Sequence, residues 1–456
     1  KTIMAAQILA ICIFVGMFLL IILDKFERCY ITLASGALVL ALVFGVCMHS
    51  MSAIWGTLNL PSIFTSGFWY GASEEGNSGI NWSTIFFIAG MMIMVEGLGK
   101  AGFFRWLCLT LAKLVRYRIV PLLVCFMVLS AVLSMFIDSI TVVLFLATVT
   151  LELAQTMKFN PIPMILSEVF CANLGGAATM CGDPPNIIVG TSLGYTFFDF
   201  ISNTGVAVAI CFVLVLIYFV LCFRKRLLRD EKNSGAAVCP QPGTAITNRP
   251  AFLLSAGVFL LAVILLATHA QTKLTVACIG VIVAALSLVV IGCTSGGKAV
   301  LEIIKGVDYK TLLFFIGLFV SVAGLKETGV LDVIARFITT VSGGNAAIIV
   351  VIILWISAVT SAFVDNIPFA ATMIPVVRSI AAASGIDMGV LAWALSLGTD
   401  LGGNATPIGA SANVVGTSVA AKGGYPIRWG VYCKYCVGAT VLVIAVSMGY
   451  LFLRYL

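Results

Sequence analysis

The chain has 456 residues, 61% of them hydrophobic and 10% charged, with a formal net charge of +7. Soluble domains carry about 25% charged residues, so a soluble globule is excluded. The basic residues are scattered among short loops with no stripe of interleaved aromatics; they read as membrane-topology signal, and no nucleic-acid partner is expected.

Taken in order, the sequence predicts an all-α polytopic protein of the lipid bilayer. The chain begins on Lys1 and not on Met, which reads as a trimmed N-terminus. The first apolar run, Ile8–Leu23, lies in a span expected over 5–24. It is too long for a signal-peptide core and is matched later in the chain, so a retained helix is expected. Further spans are expected over 31–50 and 83–99, with an amphipathic interfacial helix over 102–117. Residues 119–157 are bounded by Arg118 and Lys158 and interrupted at Asp138-Ser139. Basic flanks mark the cytoplasmic side, so this stretch reads as a re-entrant hairpin with its tip at Asp138. A broken span over 162–200 and a span over 204–223 complete the first half. Lys25, Arg28, the stretch 100–118, Lys158 and Arg224–Arg229 fall on the cytoplasmic side, and Glu74-Glu75 outside. The polar segment 224–249 reads as a cytoplasmic linker. Beyond it, apolar runs such as Phe252–Ala267 and Val437–Leu453 belong to a second half, 250–456, with its own hairpin near 347–383.

The halves are repeats. At a constant offset of 227 residues they align without a gap from Trp82 to Asn186. Gly90 pairs with Gly317, Ser134, Phe136 and Asp138 with Ser361, Phe363 and Asp365, and Leu174-Gly175-Gly176 with Leu401-Gly402-Gly403. Upstream, Ile31-Thr32-Leu33-Ala34 matches Leu274-Thr275-Val276-Ala277 at an offset of 243, which places extra loop within 47–80. Chance likeness of apolar sequence would not keep polar and glycine positions in one register. Five crossings per half is an odd number, so the second repeat, 250–456, is expected to be inverted relative to the first, 1–223. Broken helices in inverted repeats are a recognised transporter architecture.

Two motifs recur once per half. The hairpin tips hold Asp138, Ser139 and Thr141, and Asp365 and Asn366. The glycine-rich interruptions run from Asn173 through Gly176, Thr179 and Asp183 to Asn186, and from Asp400 through Asn404, Thr406 and Ser411 to Asn413. Gly and Pro at this density predict unwound backbone, which survives at membrane depth only in protein or beside a wet cavity. Freed carbonyls suit a cation, and the following half-helix N-terminus suits an anion. These fifteen residues are the candidate substrate and ion site, with Na⁺ a candidate ligand of tips and loops. A carboxylate at bilayer centre costs about 2.5–3.5 kcal/mol on insertion scales, and Asp138 and Asp365 repeat that choice in both halves. They can also serve as helix caps, which is compatible with ion binding. Glu96 reads as interfacial; Glu168 is a candidate proton carrier, and Glu152 lies on the second hairpin arm. No Arg or Lys falls in the four motifs, which favours a neutral, monovalent or cationic substrate. The 14 Cys include one Cys433–Cys436 pair without partners for a zinc site, and no disulfide framework is implied.

The segment Gly175–Thr179 with Gly182-Asp183-Pro184-Pro185-Asn186, after Glu168-Val169-Phe170, resembles the signature of the ion transporter superfamily. The likeness is to its ArsB/NhaD branch, which holds arsenite efflux pumps, NhaD-type sodium/proton antiporters and the melanosomal P protein. Leu401–Val415 is especially similar to the last, and the resemblance covers nearly the whole chain. It implies an elevator-type carrier. Scaffold helices 1–118 and 250–346 would pair into a homodimer, and transport elements 119–200 and 347–425 would move. The superfamily's divalent anion/sodium symporters carry Ser-Asn-Thr at each tip; Asp138-Ser139 and Asp365-Asn366 depart from it, which argues against a sodium/dicarboxylate symporter. Ser139 also departs from the Asp-Asn usual in the P-protein branch.

The function expected is cation-coupled secondary active transport, with H⁺ or Na⁺ as coupling ion, of an inorganic ion or small oxyanion across a bacterial or archaeal plasma membrane. No cofactor is expected. An ion channel on the same scaffold and a sodium-coupled carboxylate symporter are the alternatives. An intramembrane aspartyl protease would need a Gly-x-Gly-Asp element that the sequence lacks, so no enzyme is expected.

Overall fold

The computed structural model describes residues 2–23, 25–71, 79–233 and 240–456. Among them there is no β-strand, only one isolated bridge between Tyr70 and Leu274. Ten helices among the described residues are long and apolar enough to cross a membrane. The number equals the five crossings expected per half, but the set differs. It includes the hairpin arms Ser139–Met157 and Asn366–Ser384. It omits both broken spans, because Ile162–Gly176 and Met388–Gly402 are each stopped after 15 residues.

Both hairpins form where the sequence places them. Ile119–Ser134 turns into Ser139–Met157, and Ala346–Ser361 into Asn366–Ser384. Asp138 and Asp365 are the N-cap residues of the second arms. The expected interfacial segment is a helix, Phe103–Leu114, burying Phe104, Cys108, Leu109 and Ala112 on one face. From its outer side the Arg105 guanidinium donates to both oxygens of Glu152, at 2.6 and 3.2 Å. The surplus residues of 47–80 hold three short helices, Met51–Leu58, Leu60–Phe64 and Ser66–Trp69. The acidic pair Glu74-Glu75 lies outside the described residues.

Small residues set the spacing between the long helices, as they do where no hydrophobic drive separates helix from lipid. Trp82–Lys100 rests Gly90 on the backbone of Gly280, and Tyr309–Glu327 rests Gly317 on Thr32 and Leu33. Each of these contacts joins one half of the chain to the other.

Two sequence expectations are corrected. The helix Val206–Asn233 does not end at 223. Phe223 and Leu227, one turn apart, are both buried, and the Lys, Arg, Leu and Glu residues around them are good helix formers. The segment 224–249 therefore opens as a continuation of this helix. Its residues 234–239 lie outside the described residues, and the next helix begins at Arg249. The glycine pairs do not unwind the broken helices either. Both helices run through Gly176 and Gly402 and open only beyond them, restarting at Pro184 and Ser411. Asn173 and Asp400 thus sit in the last helical turn. At Gly175 and Gly402 the missing side chain permits close packing of the helix against Ala131 and Ala358.

Candidate functional site

The sequence repeat is repeated in hydrogen bonds. Asn186 Nδ2 donates to the carbonyls of Gly176 and Thr179, both at 3.1 Å, and its mate Asn413 donates to Gly403 and Thr406, both at 2.8 Å. Each asparagine therefore staples its own break across carbonyls that the opened helix exposes; the Thr406 carbonyl also accepts from Gly409 N at 3.3 Å. Thr179 Oγ1 then donates to the carbonyl of Met135 at 2.5 Å, and Thr406 Oγ1 to that of Ala362, tying each break to its hairpin tip. Ser139 Oγ donates to Asp183 Oδ1 at 2.8 Å, a link that the second half lacks because Ala410 stands where Asp183 does.

Asn413→Asp keeps size and removes both donor hydrogens. It should lower stability, read as a lower melting temperature in detergent, by about 1–3 kcal/mol for the stranded Gly403 carbonyl, with less lost at Thr406, whose carbonyl keeps Gly409 N. Asn186→Asp should do the same in the first half.

The two halves meet through these staples. Asn173 Nδ2 donates to Asn404 Oδ1 at 2.9 Å and to Asn413 Oδ1 at 2.7 Å, and Ser396 Oγ bonds Asn186 Oδ1. All five side chains are buried. Asp400, the repeat mate of Asn173, is 0% exposed, and neither carboxylate oxygen has a hydrogen-bond partner within 3.5 Å among the described residues. Asn404 Nδ2 and Asn173 Oδ1 are likewise unpartnered. Glu168 is also wholly buried. Thr150 donates to its Oε1 at 2.5 Å, but it does not face the cavity described next.

In front of this layer lies a cavity of about 730 Å³ that reaches both tips and both breaks. Asp138 and Thr141 line it from the first tip, Asp365 from the second, Cys181 and Pro184 from the first break and Ser411 from the second. Asp138 accepts from Thr141 N at 2.9 Å and from Thr141 Oγ1 at 2.7 Å. Asp365 Oδ1 caps Ile367 N at 3.2 Å, while its Oδ2 accepts from Ser411 Oγ at 2.9 Å. The capping role is real at both tips and leaves the carboxylates on the cavity wall. Of the candidate residues, Asp138, Thr141, Asp365 and Ser411 line the cavity. Ser139, Asn173, Gly176, Thr179, Asp183, Asn186, Asn366, Asp400, Asn404, Thr406 and Asn413 form the layer behind it. In that layer Asn366 Oδ1 is bonded by Ser361.

Sequence reasoning missed the basic residues of this cavity's lining, which stand there among acidic ones, Glu27, Glu96 and Asp308 besides the two tip aspartates; Lys310 is paired with Glu27 at 2.7 Å. Arg28 Nη1 donates to Asp365 Oδ2 at 2.8 Å, and Lys25 and Lys310 lie farther along the lining. The expectation that the site holds no fixed positive charge is thus corrected. Arg28 comes from outside the four motifs, and the rule that assigned it to topology absorbed its only signal. Glu96, at the helix end as expected, lines the same wall 3.9 Å from Lys100. A second cavity of about 370 Å³ lies toward the C-terminal ends of the second hairpin arm and of Pro184–Leu193. There Arg378 donates to the Ser192 carbonyl, and Ser379 to Asp332, both at 2.6 Å.

Ten apolar helices among the described residues, with a cavity bordered by both tip aspartates and both breaks, make this chain an integral membrane protein of the transporter class. It belongs to the CitMHS family, described as citrate transporter, whose model matches residues 18–398. An uncharacterized transporter of Mycobacterium tuberculosis (strain ATCC 25618 / H37Rv) is 32% identical over 451 residues, covering 98% of this chain and 99% of its own. The P protein of Mus musculus is 28% identical over 450 residues, covering 82% of this chain and 54% of its own length. Among solved structures, MtrF of Neisseria gonorrhoeae, whose structure illuminates a class of antimetabolite efflux pumps, superposes with a TM-score of 0.57. It is 12% identical and covers 100% of this chain and 98% of that one, a likeness of fold alone. The resemblance read from the paired motifs is borne out, the likeness to the P protein included.

Proposed function

We propose that the chain is a cation-coupled secondary active transporter of a small oxyanion or other inorganic ion, with H⁺ or Na⁺ as the coupling ion. The observation that carries the reading is the single cavity bordered by both tip aspartates and by both helix breaks. Adjacent sites let a carrier couple two species, and a carboxylate beside half-helix N-termini that carry no side-chain cap supplies a cation site next to an anion site. The repeats 1–223 and 250–456 would have inverted topology, joined by the linker. The elements 119–200 and 347–425 would move as an elevator against scaffold helices 1–118 and 250–346 of a homodimer. The cavities at opposite ends of the second hairpin arm are where the two access routes would run. Purified protein in proteoliposomes should accumulate the transported anion when an inward H⁺ or Na⁺ gradient is imposed. Uptake indifferent to both gradients would refute coupling, and unitary currents far above carrier turnover would favour a channel.

The carboxylate-symporter reading gains from one observation. Arg28 on the cavity wall is the kind of group that binds carboxylate, and the family description names citrate. Citrate is therefore the first anion to test.

A further inference from the structure

We infer that Arg28 is the anion-recognition residue of the central cavity and that Asp365 competes with the transported anion for its guanidinium. The inference rests on the proposal that an anion is carried, and it names the residue that receives it.

Arg28 opens the second long helix, on the scaffold side, whereas Asp365 is the tip of the second hairpin. Their 2.8 Å contact joins the two parts of the molecule that transport would displace. The guanidinium side chain is 32% exposed and lines the cavity; Asp365 is 8% exposed. Guanidinium is a planar fork matched to carboxylates and oxyanions and stays charged at every relevant pH. Asp365 is also held independently of it. Ser411 donates to the same oxygen and Ile367 N to the other, so the carboxylate keeps two partners when Arg28 turns away. The first tip has no such partner: among the described residues no ion pair reaches Asp138.

The exchange also accounts for coupling. Once an anion takes Arg28, the buried Asp365 loses its counter-charge, which is unfavourable without a replacement. A cation at the second tip supplies it. Anion and cation then load together, and loading breaks the ion pair that, among the described residues, joins the scaffold to a hairpin tip; Arg105–Glu152 joins it only to the arm of the first hairpin.

The test uses full-length protein in proteoliposomes with radiolabelled citrate, sulfate and phosphate as probes, under imposed Na⁺ and pH gradients. Arg28→Gln should raise KM for the transported probe about 30-fold or more, the low end for truncating one partner of a buried charge pair. Arg28→Lys should rescue part of that loss. Arg28→Gln strands Asp365 and could fold poorly, so Asp365→Asn is the independent arm. It removes the competitor, so KM should fall several-fold while dependence on the cation gradient disappears. A merely structural ion pair would make both variants worse in the same direction, and that result overturns the inference. So does gradient-driven uptake with unchanged KM in Arg28→Gln and Arg28→Lys, which leaves the proposed function standing. Wild-type protein that moves Na⁺ or H⁺ but none of the three anions would overturn the inference and leave the proposed function standing for an inorganic cation, whereas uptake of every probe indifferent to both gradients would overturn the proposed function.

Discussion

Asp400→Asn should melt at a higher temperature than wild type and should no longer couple uptake to an ion gradient. The carboxyl is wholly buried and has no hydrogen-bond partner among the described residues. If ionised, it lacks a counter-charge, and the nearest donor, the Asn186 amide, lies beyond 3.5 Å and is committed to the Gly176 and Thr179 carbonyls; if neutral, its O–H lacks an acceptor within that distance. Either state is costly, and the amide removes the ionisable group. A stabilisation on the order of 1–3 kcal/mol is expected. The scaffold accepts the change because the repeat already carries an amide at the equivalent place, Asn173, bonded to Asn404 and Asn413. The functional loss follows from the same reasoning. A group kept at this cost, deep between the two breaks, is one that the protein uses. Thermal unfolding in detergent and gradient-driven uptake, measured on one preparation, check both halves. A lower melting temperature with coupling intact would contradict the prediction.

Gly402→Ala and Gly175→Ala should each disable the protein, although alanine is the better helix former. A Cβ at Gly402 would lie 2.3 Å from Ala358 Cα, and one at Gly175 would lie 2.1 Å from the Ala131 carbonyl oxygen. Backbone atoms cannot swing aside as a side chain can, so the hairpin must move away from its broken helix. Overpacking of this kind costs about 1–3 kcal/mol or more, and the displacement would pull Thr179 or Thr406 off the tip that it ties down. The expected result is a lower melting temperature and little uptake. Gly257→Ala is the control. It lies in the helix Arg249–Thr272 with no atom within 4 Å of the added carbon, so it should gain up to about 1 kcal/mol of helix propensity. If Gly402→Ala behaved like Gly257→Ala, the close packing would be refuted.

Much of this architecture was legible in the residues because membrane depth penalises polar and glycine positions, so those that remain carry information. The register of Asp138 with Asp365 and of Asn186 with Asn413 located both tips and both breaks. What the sequence concealed depends on neighbours distant in the chain. The glycine pairs suggested unwinding, but Gly175 and Gly402 stay helical because the helices beside them come too near for a Cβ. The basic run at 224–229 looked like linker, yet Phe223 and Leu227 bury one face of a continuing helix. Arg28 was hidden most completely. A basic residue before an apolar run reads as topology, and only the fold brings it to a carboxylate 337 positions later.

The two tips and two breaks border one cavity on the side where Lys25 and Lys310 lie, and an aqueous route from that face to Ser411 is expected. Placing cysteine at Ser411, with the cavity-lining Cys29 and Cys181 changed to alanine, allows a direct measurement in oriented vesicles. A membrane-impermeant cationic methanethiosulfonate should modify position 411 when added on the Lys25 face, and the transported anion should slow the reaction. Reaction only with a lipid-soluble thiol reagent, from neither aqueous side, would contradict the account.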